Sequence, residues 1–301
     1  MPIIFASLAR VVPPAVWPSL KFLDPMSGGG SVALAAKWYG FDVLAGDVAE
    51  RALVVARALI GNHLRKIQPA DIARLLADVA YPLDHDDISL EKPYATLLAP
   101  AAAFPEPLQS LLMLTIVNSY LHVFPMSLPS ASDSRHVISR DWDRISSRRV
   151  GHYLRVLNRP IESALISGAK SVNRSVLGGR GQVIEGSALD AIRGSGSDVI
   201  FLDPPYPGTS GYDDNYRKLD LLLGDKRLPE PAPQLDELFE TASDVPVVVL
   251  SYGGPSVTLD SLVSQAGRHR PVTNAIAVPY RHLKSISKEG TNEFILICSD
   301  R

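Results

Sequence analysis

The chain has 301 residues, of which 46% are hydrophobic and 21% charged, and its formal net charge is −2. This is the composition of an ordinary soluble globular protein with ample core. The single cysteine, Cys298, excludes an internal disulfide and a multi-cysteine zinc site, so we predict no metal and a reducing, cytoplasmic location.

Neither of the two apolar stretches predicts a membrane segment. Residues 1–20 contain four prolines and lack a basic start followed by an apolar core, so they make a poor signal peptide. Residues 108–124 are interrupted by polar side chains and are too short to cross a bilayer comfortably. We therefore predict a core helix there and no membrane partner.

The first sixty residues predict a βαβα unit. A strand at 21–24 enters a glycine loop, Ser31 caps a helix at 32–39, a second strand follows at 41–47, and a helix covers 48–62. Such alternation is typical of a parallel sheet with helices on its faces.

The pattern then changes. Residues 65–150 contain eight scattered prolines and no clear strand alternation, and we interpret them as a largely helical insertion. Helical character continues to residue 174, and strands are predicted at 182–185, 198–202, 246–252, 272–278 and 293–298. The last two are expected to form an antiparallel edge pair.

The predicted fold is therefore α/β, with a mostly parallel Rossmann-like sheet. It divides into residues 1–64, the insertion at 65–150, and residues 151–301.

Positive charge is concentrated in one part of the chain. Residues 135–180 contain ten basic and three acidic side chains, a net charge of +7, which leaves −9 for the remainder. A run of charged residues is usually a solvated helix face. An uneven distribution of charge this large in a near-neutral chain, however, is typical of a surface that binds the phosphates of a nucleic acid. We predict contact with nucleic acid.

The sequence Asp-Pro-Pro-Tyr at 203–206 closes a buried apolar strand. Two prolines end the strand and stiffen the turn, which leaves a carboxylate, a proline carbonyl and an aromatic ring at its carboxyl end. In open α/β sheets ligands bind at that end. The three groups suit a planar amino group on a base, although the same residues also occur in simple strand-ending turns.

The glycine loop fits the dinucleotide fingerprint. Gly28, Gly30 and Ala33 have the G-x-G-x-x-A spacing, and Asp47 follows at a distance typical of a ribose-binding acid. A P-loop is excluded because no Lys-Ser/Thr follows the glycines. The fingerprint alone does not separate a nicotinamide dinucleotide from another adenosine cofactor.

Together the two motifs resemble a family. Residues 24–31 look like the D-P-F-x-G-G-G-S motif that binds S-adenosyl-L-methionine (AdoMet) in amino-methyltransferases, and residues 203–206 look like their catalytic motif. The stretch 203–216 is similar to Dam-like, alpha-class DNA N6-adenine methyltransferases, in which a target-recognition insertion separates the motifs. The resemblance implies a class I methyltransferase fold and a double-stranded DNA substrate. The resemblance is also compatible with a protein partner from a restriction or defence system.

The resemblance also implies roles for individual residues. Gly28 and Gly30 would shape the loop around the methionine part of AdoMet, with Asp24 and Pro25 beneath it, and Asp47 would bind the ribose hydroxyls. In that family an N-terminal aromatic or lysine touches the cofactor, and Trp17 or Lys21 would be its counterpart here.

Further roles fall later in the chain. Ser187 and Ala188 resemble the loop beside the cofactor adenine, although serine stands where the family commonly has an acid, and residues 251–254 correspond to a loop lining the target-base pocket. The catalytic residues would be Asp203, Pro204, Pro205 and Tyr206, with Asp203 also near the cofactor. The nucleic-acid contacts would be Arg144, Arg148, Arg149, Arg155 and Tyr212.

Several alternatives remain open at this level. Modification of cytosine N4 or of an RNA amino group uses related motifs. A nicotinamide dehydrogenase would account for the glycine loop and Asp47 but not for residues 203–206. A catalytically weak DNA-binding subunit with the same fold is the non-enzymatic alternative.

Overall fold

The computed structural model describes most of the chain. The described residues are 2–77, 79, 92–123, 139, 141–144, 150–151, 160–206, 216, 219–220, 222–225, 233–254, 257–280 and 291–299.

Seven strands form one mixed sheet. Their bounds are β1 Lys21–Asp24, β2 Asp42–Asp47, β3 Gly181–Glu185, β4 Val199–Leu202, β5 Val247–Gly253, β6 Val272–Tyr280 and β7 Thr291–Ser299. The order across the sheet is β3-β2-β1-β4-β5-β7-β6. Strands β1 to β5 are parallel, and β7 is antiparallel to both β5 and β6.

The helices of the described part follow the predicted alternation. They are α1 Pro2–Leu8, α2 Ser31–Trp38, α3 Glu50–Val55, α4 Pro69–Ala77, α5 Lys92–Ala102, α6 Leu108–Val123, α7 Ile161–Ser175, α8 Ala188–Ser195, α9 Leu235–Thr241 and α10 Leu259–Gly267. Helix α3 continues as a π-helical turn, Ala56–Ile60, and short 3-10 helices cover Pro14–Ser19 and Trp142–Arg144. The predicted α/β class is confirmed, and the arrangement is compatible with a Rossmann-like fold.

Helices cover both faces of the sheet because the central strands are apolar on both sides. In β4, Val199 and Phe201 face a cluster with α1 and α2, while Ile200 and Leu202 face a cluster with α8, α9 and α10. All four residues are buried. A continuous apolar run of this kind is typical of a parallel strand enclosed between helix layers.

The helices between residues 65 and 150 belong to a third buried cluster. Helices α4, α5 and α6 share it with α3 and α7. Within the described residues of this segment the structure is helical, as predicted, and α6 covers the stretch expected to be a core helix. None of the helices in the described ranges has the length and apolarity needed to cross a membrane. The proposed division into three segments stays a prediction.

The predicted antiparallel edge pair near the carboxyl terminus is confirmed. Strand β7 lies between β5 and β6, and β6 alone forms the edge. Residues 294–299 of β7 are buried, whereas β6 carries the partly exposed Thr273 and Asn274. The apolar strand therefore takes the interior position.

The predicted cap of α2 is wrong by one residue. Gly30, with φ 71°, occupies the N-cap position, and Ser31 is the first helical residue. The left-handed conformation is open to glycine at little energetic cost, which explains why glycine and not serine stands at the turn.

Candidate active site

Both sequence motifs lie where the order of the strands reverses. From β1 the chain proceeds outward to β2 and β3, and it returns to the other side of β1 with β4 and β5. The loops after β1 and β4 therefore flank a gap at the carboxyl edge of the sheet, the position at which open α/β sheets bind ligands. The glycine loop follows β1, and residues 203–206 follow β4.

Backbone hydrogen bonds shape the glycine loop. The N–H of Ser27 donates to the carbonyl of Gly46 at 2.9 Å, and that of Gly30 donates to the carbonyl of Ser27 at 2.7 Å. Gly28 and Gly30 both have positive φ, 49° and 71°. The loop thus turns sharply from β1 into the first turn of α2.

We expect Gly30→Ala to destabilise the fold and Gly29→Ala to leave it nearly unchanged. A Cβ on Gly30 would lie 2.9 Å from Val55 Cγ1, whereas a Cβ on Gly29 would meet nothing within 4 Å. The positive φ adds about 1–2 kcal/mol for alanine at position 30. Urea unfolding of the two variants measures the difference, and equal stabilities would contradict this account of the loop.

Asp47 ties the end of β2 to the glycine loop. Its Oδ2 accepts the N–H of Gly28 at 2.9 Å, and its Oδ1 accepts the N–H of Ala49 at 2.9 Å. Each carboxylate oxygen keeps a further lone pair. Asp47 can therefore hold the loop and still accept a hydroxyl, so its expected contact with a ribose stays a prediction.

Asp24 is a buried carboxyl at the end of β1. Its side chain accepts backbone N–H groups of Met26 and Ala33, but its Oδ1 has no hydrogen-bond partner among the described residues, and neither does the buried Oγ of Ser27. Burial, followed by the charges of Asp203 and Asp47, raises the pKa of Asp24 from 3.8 to about 8. Buried polar atoms are normally hydrogen-bonded, so these two indicate a missing polar partner.

Asp203 and Tyr206 form a polar contact directly after β4. The hydroxyl of Tyr206 donates to Asp203 Oδ1 at 3.2 Å. Although the Asp203 side chain reaches solvent, the protein atoms around its carboxylate raise its pKa from 3.8 to about 6, and the charge of Glu293 adds to this. Burial, followed by the charge of Asp203, raises the pKa of Tyr206, which therefore keeps its phenolic proton.

The neighbouring strands complete this cluster. Ser251 of β5 donates to Glu293 Oε1 of β7 at 2.7 Å, and the Tyr206 hydroxyl lies 3.3 Å from both Ser251 Oγ and Glu293 Oε1. The ring of Tyr252 packs edge-on against that of Tyr206, with centroids 5.6 Å apart. Residues 251–253, expected to be part of a loop, therefore lie in β5, and Ser251 and Tyr252 contact the Asp-Pro-Pro-Tyr segment from that strand. Glu293 was not among the site residues predicted from sequence.

Ser187 and Ala188 follow β3, next to β2 in the sheet. Ser187 is the N-cap of α8, with its Oγ accepting the N–H of Asp190 at 3.2 Å, and Ala188 is buried. The N–H of Gly186 donates to the carbonyl of Asp47 at 3.3 Å. This loop therefore lies beside Asp47 at the same sheet edge, as a contact with the adenine of a cofactor requires.

Neither N-terminal counterpart lies at the candidate site. Trp17 is 4% exposed and stacks on Phe41 in the core, with centroids 5.1 Å apart. Lys21 begins β1 and so lies at the amino end of the sheet, opposite the candidate site. The Trp17 ring thus contributes its large apolar area to the core.

Most of the predicted nucleic-acid contacts fall outside the described residues. Arg144 is exposed in the short helix Trp142–Arg144. Arg148, Arg149, Arg155 and Tyr212 lie outside the described ranges. The role of the arginines therefore stays a prediction from charge, and that of Tyr212 a prediction from the resemblance.

The chain is an α/β protein with a cluster of polar side chains at the switch point of a mixed sheet. Among the described residues, no three histidine, cysteine or carboxylate side chains are placed to hold a metal ion. The chain matches no protein-family model, and no curated protein matches it in sequence.

Proposed function

We propose that this protein is an AdoMet-dependent methyltransferase that modifies the exocyclic N6 of adenine in DNA. The observation that carries the proposal is the position of the two motifs. The glycine loop after β1 and residues 203–206 after β4 flank the same switch point. A cofactor held by the first motif would lie next to a base held by the second.

The residues at the glycine loop fit a cationic, adenosine-containing cofactor. Asp24 Oδ1 and Ser27 Oγ are buried acceptors without a partner in the described part of the chain. The carboxylates of Asp24, Asp47 and Asp203 are close enough for their charges to raise the pKa of Asp24. In the ligand-free protein Asp24 relieves that repulsion by keeping its proton, and a positively charged ligand would favour its ionised form instead. AdoMet is such a ligand, because it carries its methyl group on a sulfonium.

The catalytic motif suits an aromatic amino group as methyl acceptor. The Asp203 carboxylate and the Pro204 carbonyl would accept its two N–H bonds, which aims the nitrogen lone pair at the methyl carbon. AdoMet would supply the methyl group: the nitrogen–carbon bond would form as the carbon–sulfur bond breaks and its electrons return to sulfur, and Asp203 would take the proton that the nitrogen then releases. Rate enhancement would come from orientation and from stabilisation of the developing positive charge.

Tyr206 would provide the surface on which the base stacks. An exocyclic nitrogen inside a duplex is out of reach of a protein carboxylate, so the base must leave the helical stack. Hydrogen bonds at its hydroxyl and the contact with Tyr252 fix the orientation of the Tyr206 ring. Basic residues between 135 and 180 would bind the DNA backbone, and we retain the cytoplasm as the proposed location.

Calorimetry with AdoMet and with NAD separates this proposal from a nicotinamide dehydrogenase. The glycine loop and Asp47 serve either cofactor, but a dehydrogenase gives the cluster at residues 203–206 no role. We expect a saturable heat of binding for AdoMet and none for NAD. Binding of NAD alone would contradict the proposal.

A further inference from the structure

Glu293 reaches the catalytic motif because of its register on β7. It lies directly opposite Gly253 of β5, and Ile295 lies opposite Ser251. Since Gly253 has no side chain, Glu293 can extend along the diagonal to Ser251, a distance that long side chains cover. The resulting hydrogen bond between Ser251 Oγ and Glu293 Oε1 is 2.7 Å long.

The same oxygen of Glu293 also approaches the motif itself. The Tyr206 hydroxyl lies 3.3 Å from Glu293 Oε1 and 3.2 Å from Asp203 Oδ1. One phenolic proton therefore lies between two carboxylates, and Ser251 completes the group at 3.3 Å. Strands β5 and β7 thus fix the position of a tyrosine that follows β4.

We propose that Glu293 is a positioning residue of this site, which acts through Ser251 and Tyr206 to orient the Asp203 carboxylate toward an incoming amino group. This inference rests on the proposed function for the identity of the amino group. The hydrogen bonds and the charge of Glu293 do not depend on that identity.

The cluster contains more hydrogen-bond acceptors than hydroxyl protons. With both carboxylates ionised, Asp203 and Glu293 offer four acceptor oxygens, whereas Ser251 and Tyr206 contribute one hydroxyl proton each. The group therefore has acceptor capacity for the two N–H bonds of an amino group. Because like charges oppose each other's ionisation, Glu293 also makes Asp203 the better acceptor for the proton released after transfer.

The groups that face Asp203 come from every neighbouring element. They are Asp24 of β1, Tyr206 of its own segment, Ser251 of β5 and Glu293 of β7, and Asp47 of β2 acts on Asp24. Glu293 raises the pKa of Asp203, while the hydroxyls of Tyr206 and Ser251 lower it. Variants at positions 293 and 251 should therefore shift the titration of Asp203 in opposite directions.

The test uses Glu293→Gln and Ser251→Ala in the full chain. Glutamine keeps an oxygen that accepts from Ser251 and Tyr206 but lacks the charge. We expect the acid limb of the kcat/KM profile for methyl transfer to move down by about one pH unit in E293Q and upward in S251A. Glu237→Gln, an exposed change on α9, should leave the profile in place.

A second readout does not require activity. Carboxyl NMR of the free protein should show Asp203 titrating at lower pH in E293Q and at higher pH in S251A. An unchanged Asp203 titration in both variants would overturn the role of Glu293. Shifts of the expected signs in a protein that transfers no methyl group would support the coupling and contradict the proposed function instead.

Discussion

Replacing Asp203 with alanine is expected to lower kcat for methyl transfer by at least ~10³-fold while AdoMet binding changes less than ~10-fold. Under the proposed function, the carboxylate would accept an N–H of the target amino group and orient its lone pair, so its loss would remove interactions that matter most in the transition state. The glycine loop follows β1, and the hydrogen bonds that shape it do not involve Asp203. Single-turnover transfer from labelled AdoMet and calorimetry measure the two quantities.

Asp244→Asn provides a matched control for this variant. Asp244 is exposed in the turn before β5, at the amino end of the strand and away from the site. Both activity and binding should stay at wild-type levels. If D203A kept more than about a tenth of the wild-type rate, Asp203 would not be the catalytic carboxylate.

The second large effect is on stability. The free energy of unfolding of the ligand-free protein should fall as pH rises from about 4 to about 8, and Asp24→Asn should remove about 5 kcal/mol of that fall. In the folded state Asp24 has a pKa of about 8, against 3.8 as an isolated group, so it binds a proton in this window that the unfolded chain has already released. A raised folded-state pKa contributes stability that is complete below the unfolded value and is lost as pH rises through the folded one.

Urea unfolding at a series of pH values measures this dependence. In D24N, the asparagine oxygen can still accept from the N–H groups of Met26 and Ala33, so the loop should keep its shape. Asp260→Asn, an exposed change on α10, should follow the wild-type curve. If the free energy of unfolding of D24N and of the wild type depended on pH in the same way, Asp24 would not be a buried, protonated carboxyl.

The parallel strands and both motifs were predictable because their signals are local. The apolar run before Asp203 ends at two prolines, and the glycines after Asp24 mark a turn into a helix, so each loop could be placed at the end of a strand. The order of the strands was not predictable. It depends on the burial of β7 against the partial exposure of β6, which decides that β7 takes the interior position.

Glu293 illustrates what sequence patterns leave out. It lies 87 positions from Tyr206 along the chain, on a strand whose remaining residues are a core pattern. Only the antiparallel register places it opposite Gly253 and within reach of Ser251. A carboxylate at the start of an apolar strand is usually a solvated end, so no local signal marked it.

Lys37 is another feature that local patterns do not reveal. A lysine near the end of an amphipathic helix is normally exposed, yet this one is 2% exposed. Its Nζ donates to the carbonyls of Leu59, Ile60 and Asn62 at the end of the π-helical turn. Burial lowers its pKa to about 8, which leaves the ammonium mostly charged near neutral pH. The cation satisfies three carbonyls that the irregular turn leaves unpaired.

Methyl transfer from labelled AdoMet to genomic DNA, followed by nucleoside analysis, tests the central claim most directly. We predict that the label appears in N6-methyladenine and that D203A abolishes it. Label in N4-methylcytosine, or in RNA alone, would contradict the assignment of the target. Absence of any labelled product from a folded protein would contradict the assignment as a methyltransferase.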